Sequence, residues 1–116
     1  MNSRLVASFA MTLFAVSLCA SVASAADADA AKALARTNNC FKCHGTEKAK
    51  DGPSFKSISD KYKGQADAQA KLVNHLTSGE MAKFPDGHSE PHKKVETSPP
   101  NDQGQIKNLV DWILSL

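Results

Sequence analysis

The sequence predicts an all-α domain, on three observations. Near the C-terminus, Ile106, Leu109, Val110, Ile113 and Leu114 keep the i, i+3, i+4, i+7, i+8 spacing of an amphipathic helix. Shorter stretches with the same period precede it, punctuated by glycine and proline. No stretch shows the apolar–polar alternation that a half-buried strand needs.

The N-terminus reads as an address rather than as part of the fold. Residues 1–4 form a short basic start, residues 5–18 are mostly apolar, and Ala23-Ser24-Ala25 supplies an Ala-x-Ala cleavage site. The apolar run is too short to make a convincing membrane span. Residues 1–25 are therefore expected to be a signal peptide and residues 26–116 one small domain, exported to the periplasm. Cys19 lies in the removed segment; Leu18 before it fits a lipoprotein cleavage box poorly, so no membrane anchor is expected after cleavage. The net charge of the 116-residue chain is only +2, too balanced to suggest a nucleic-acid partner.

Asp27 to Asn39 is alanine-rich and reads as a helix, with Asp27 or Asp29 as its N-cap and Ala31, Leu34 and Ala35 as a narrow apolar stripe. Gly45 to Gly52 is polar and reads as a loop, closed by Gly52-Pro53. Ser54 caps a short second helix in which Phe55, Ile58 and Tyr62 share a side, and Gly64 ends it. A third helix spans about residues 66 to 78, with Leu72, Val73 and Leu76 buried and Gly79 as its stop. His75 falls on the flank of that helix and reads as a solvated side chain. From Glu80 to Pro100 there is no period of either kind, and a loop of about twenty residues in so small a domain is usually functional. Asn101 or Asp102 caps the final helix, with Gln105 placed as in a capping box.

The chemistry is concentrated in Cys40-Phe41-Lys42-Cys43-His44. Two cysteines two residues apart, followed at once by histidine, form the attachment pattern of a c-type haem. The thiols add to neighbouring vinyl groups, and the histidine is carried under the ring, where an imidazole nitrogen can bind the iron. A domain of this size with few aromatic residues buries only a modest core, and a covalent porphyrin supplies the missing apolar surface. A redox dithiol would leave His44 unexplained and lacks its usual βαβ setting. A zinc site would need His88 and His92 as further ligands, and the helical frame and export signal argue against it.

With those residues placed, the mature chain resembles a small bacterial class I cytochrome c. The resemblance rests on Cys40-x-x-Cys43-His44, Gly52-Pro53, Lys61-Tyr62-Lys63-Gly64 and the ending Asp111-Trp112-Ile113-Leu114-Ser115-Leu116. It implies a class I cytochrome c fold, with helices wrapped around one covalent haem c and the first and last helices crossing near it. It also implies cofactor contacts from Pro53, whose backbone would accept a hydrogen bond from His44, and from Phe55. The implied activity is single-electron transfer between redox protein partners by a monomer or weak dimer, not enzymatic turnover. A gas-binding haem module and a redox subunit of a larger enzyme are the alternatives.

The departure from the family pattern lies in the loop before the last helix. Family members normally place a methionine there, often followed by two prolines; here Ser98 precedes Pro99-Pro100 and no methionine is near. For the distal side of the iron, His92 is preferred, since it lies nearer the last helix and Pro91 stiffens its approach. His88 is the alternative and Met81 the third candidate, followed by an open position. A second imidazole in place of a thioether implies a lowered reduction potential. Lys42, Lys48, Lys50, Lys56, Lys61 and Lys63 either ring the haem edge and steer acidic partners or are ordinary solvated residues; the interspersed Glu47, Asp51 and Asp60 favour the second reading.

Overall fold

The computed structural model describes residues 25–116. The expected signal peptide, apart from Ala25, lies outside the described residues. Helix α1 is Ala28–Thr37, α2 is Phe55–Tyr62, α3 is Ala68–Ser78 and α4 is Gln103–Leu114. A single 3-10 turn, Cys40–Lys42, follows α1.

The starts of three helices follow local chemistry. Asp27 accepts from Ala30 N–H, Ser54 from Ser57 N–H and Asp102 from Gln105 N–H, each satisfying a backbone donor left free in a first turn. Asp67 makes no such bond, and α3 begins two residues later than the periodicity suggests. The expected capping box on α4 is only half formed. The Gln105 side chain donates to Ser98 O and to Asp102 itself, while Asp102 N–H is taken by Thr97 Oγ1. Gly79 ends α3 in the left-handed region at φ 71°, which a side chain would strain.

Helix α4 is the axis of the fold, and α1, α2 and α3 all pack on it. Ala31 and Ala35 of α1 are buried against Leu109, Trp112 and Ile113, the small alanines allowing close approach. The Asn108 side chain locks that crossing, donating to Asp27 O at 2.9 Å and accepting from Asp27 N–H at 2.8 Å. Ser59 of α2 donates to Leu114 O and Leu116 O, and Gln69 of α3 donates to Asp111 at 2.6 Å. Phe41, Phe55 and Trp112 form an edge-to-face aromatic cluster, with centroids 5.5–6.5 Å apart.

The helical class stands, but the long loop, expected to have no regular structure, contains one short hairpin. Met81–Lys83 (β1) pairs antiparallel with Ser89–Pro91 (β2), Met81 opposite Pro91. The hairpin is short and largely exposed, with no buried face, so it leaves no alternating apolar signature in the sequence. Beyond it, Asn38 pins the chain. Its side chain donates to Leu34 O and Glu96 O and accepts from Glu96 N–H at 2.8 Å, tying the last part of the loop to the end of α1.

Candidate haem site

A cavity of about 730 Å³ opens between the helices and the hairpin, within the size range of cofactor sites, roughly 300–1,000 Å³. Its walls include Cys40, Cys43 and His44 on one segment, Phe55 and Leu109 from the helices, and His92 and Val95 from the loop. The outer helices meet α4 and scarcely one another, so the cavity lies between them rather than being filled by helix–helix packing.

The Cys40–His44 segment is shaped by its surroundings. Asn39 takes a left-handed φ of 58°, tolerable for asparagine, and turns the chain out of α1 into the 3-10 turn. Cys40 O accepts from both Cys43 N–H and His44 N–H, which brings both thiols and the imidazole to one wall. Burial pushes the pKa of the Cys40 thiol up.

His44 is held from three directions. Its Nδ1 donates to Pro53 O at 2.7 Å, its ring stacks on buried Phe55 at 5.3 Å, and Gly52 lies against its edge. A Cβ on Gly52 would stand 2.6 Å from His44 Cε1. The Gly-Pro pair therefore supplies both a backbone that can approach the imidazole and the carbonyl that orients it. With Nδ1 as donor, the neutral ring has its free lone pair on Nε2, which has no hydrogen-bond partner among the described residues.

His92 repeats the arrangement. Its Nδ1 donates to Lys93 O at 2.9 Å, leaving Nε2 without a partner among the described residues. The His44 and His92 ring centroids are 6.2 Å apart. Two imidazoles bound to opposite sides of one metal ion at about 2 Å each have centroids roughly 6 Å apart. Burial and the neighbouring His75 ring hold the His92 pKa below the usual imidazole range, favouring the neutral, ligating form.

The other candidates stand differently. His88 is exposed on the hairpin, bonded to Asp86 and stacked on Phe84 at 4.3 Å, and is not part of the cavity wall. Met81 borders the cavity but is 61% exposed. His75 is not the solvated residue that the helical pattern suggests: it lines the cavity, bonds Glu80 and lies 4.3 Å from the His92 ring. Its place three residues after Leu72, hence on a shared helix side, was the overlooked signal. Of the six lysines near the attachment motif, Lys42 and Lys61 reach the cavity, joined by Lys83, Lys93 and Lys94 from the loop. Lys56 is paired with Asp60, and Lys50 donates to Phe41 O.

The sequence profile for cytochrome c matches residues 28–116. The chain belongs to the cytochrome c family. It is 64% identical to the class 1 cytochrome MtoD from Sideroxydans lithotrophicus ES-1, whose crystal structure superposes with a TM-score of 0.74 over 78% of this chain and 97% of that one. Cytochrome c-551 of Allochromatium vinosum is 35% identical over 72% of this chain and 82% of its own length. The crystal structure of Nitrosomonas europaea cytochrome c552 is 32% identical, with a TM-score of 0.54 over 73% of this chain and 98% of that one. This is a class I monohaem cytochrome c with a mostly helical fold, and its cofactor is one covalent haem c. Its role is electron transfer.

Proposed function

We propose that residues 1–25 direct export and are removed, and that the remaining domain carries single electrons between protein partners in the periplasm. Cys40 and Cys43 hold the haem through thioethers, His44 is its proximal ligand and His92 its distal ligand. The bound haem supplies the one-electron Fe(III)/Fe(II) couple. The protein residues orient it and tune it. Pro53 O, by accepting from Nδ1–H, raises the basicity of His44 and fixes its ring; Lys93 O does the same for His92. Phe55, Leu109 and Val95 provide apolar wall.

The observation that carries this reading is the matched pair of imidazoles, 6.2 Å apart, each with Nδ1 engaged by a backbone carbonyl and Nε2 left over. Met81, exposed on its strand, and His88, engaged outside the cavity, have no comparable support. Two imidazoles stabilise Fe(III) more than imidazole plus thioether does, so a potential below that of methionine-ligated relatives is expected.

Absorption and EPR spectra of the ferric protein and of His92→Ala test the assignment. The wild type should be low-spin with nitrogen on both sides and no sulfur-to-iron charge-transfer band. His92→Ala should lose that signature. A charge-transfer band in the wild type, or a spectrum unchanged by the substitution, would refute it.

A further inference from the structure

We propose that His75 and Glu80 are positioning residues for His92, holding its ring in one orientation and keeping it in place against competing ligands. The proposal rests on reading His92 as the distal ligand.

A ligand carried on a long loop has freedom that a ligand following the Cys-x-x-Cys turn does not. The end of α3 removes much of it. Glu80 acts twice: its carbonyl accepts from His92 N–H at 2.8 Å, and its carboxylate accepts from His75 Nδ1–H. One turn earlier, Leu76 O accepts from Val95 N–H at 2.8 Å. Residues 92–95 are thereby fastened at one end to Glu80, just past α3, and at the other to Leu76 within it. Gly79 makes this possible. Its left-handed backbone turns the chain after α3, and a Cβ there would meet Lys94 Cε at 2.9 Å.

The His75 side chain completes the support. Its ring lies 4.3 Å from that of His92, at 47° between planes, and is itself anchored by the Glu80 carboxylate. A ring bonded at Nδ1 to a carboxylate cannot swing freely about its own Cβ–Cγ bond. It presents a fixed surface to the next imidazole, while Lys93 O orients the His92 ring from its own segment. Rotation of His92 away from its present orientation therefore requires loss of the His75 contact, the Lys93 bond, or both.

The test uses the ferric, haem-loaded protein, with cyanide and imidazole as probes of distal-ligand displacement by stopped flow. Outer-sphere partners of metal ligands typically matter by about 10- to 100-fold, so His75→Ala and Glu80→Ala should each speed displacement roughly tenfold or more. Both should also alter the EPR g-anisotropy, which reports the His92 ring plane. Glu80→Gln, whose amide oxygen still accepts from Nδ1–H, should restore near-wild-type rates. If His75→Ala fails to fold, Glu80→Ala still decides, because the carboxylate it removes is half exposed.

Wild-type displacement rates and g-values in both alanine variants would overturn the proposal. His92→Ala separates that failure from failure of the ligand assignment. A spectrum changed by His92→Ala but by neither alanine variant defeats only the positioning role. Loss of the second nitrogen in His75→Ala, with its retention in His92→Ala, assigns the iron to His75 and overturns both.

Discussion

Gly52→Ala should be costly although the new side chain is a single methyl. The backbone of Gly52 is not in the positive-φ region, so the whole effect is steric. The added carbon would stand 2.6 Å from His44 Cε1 and 2.9 Å from Nδ1. Ordinary carbon–carbon contact is about 3.5–4.0 Å, so roughly 1 Å of movement is needed. His44 can give way only by stretching its 2.7 Å bond to Pro53 O, since Phe55 is stacked on the ring. Gly52 can give way only by straining its own bonds, N–H to Cys43 O at 2.8 Å and carbonyl from Lys50 N–H at 3.0 Å. Overpacking costs about 1–3 kcal/mol and a weakened hydrogen bond about 1 kcal/mol, so a loss of roughly 2–4 kcal/mol is expected in denaturant unfolding of the haem-loaded protein. If His44 moves, its imidazole becomes a weaker donor and Fe(III) is stabilised less. The potential should then rise, by roughly 40 mV for each kcal/mol in a one-electron couple. Gly64→Ala is the control: it strains a φ of 77° but meets nothing within 4 Å, so it should lower stability without moving the potential. Wild-type stability and potential in Gly52→Ala would refute the close-approach argument. Lower stability with an unchanged potential would show that the loop, not the ligand, yields.

Asn38→Ala should remove three hydrogen bonds and leave the Glu96 N–H and C=O without their protein partner, costing about 2–3 kcal/mol in denaturant unfolding. Hydrogen exchange should rise in the loop around Glu96, with α4 itself less affected. Asp102 has a pKa held below its ordinary 3.8 by the Gln105 N–H it accepts. Its stabilising contribution is therefore present above pH 3.8 and is lost as pH falls below that value through the folded pKa. Asp102→Asn keeps a good cap but does not titrate, so acid unfolding followed by circular dichroism should be less steep in that window than for wild type.

The helices were legible because each carries a local signature: the stripe from Ile106 to Ile113, the caps Asp27, Ser54 and Asp102, and the stop at Gly79. The hairpin was not. Strands of three residues with no buried position bury no face, so pairing depends on backbone bonds that side-chain patterns do not report. The bonds from Asn38 to Glu96 were equally hidden, since an asparagine after a helix reads as an end signal.

By itself the sequence determined the helical class and, through Cys40, Cys43 and His44, the covalent cofactor, because thiol and imidazole spacing along one turn is a local property. Gly52-Pro53 was also readable as a turn, though its contact with His44 was known only as an implication of the family resemblance. The sequence favoured His92 over His88 and Met81 only by its place in the loop; the tertiary structure is what brings its ring to 6.2 Å from that of His44. Whether His92, His88 or Met81 faces His44 depends on how residues 80 to 95 are fastened to the end of α3, through bonds that join Glu80 to His92 and Leu76 to Val95. Those bonds span twelve and nineteen positions and use backbone atoms that every residue possesses, so no residue type at any one position announces them.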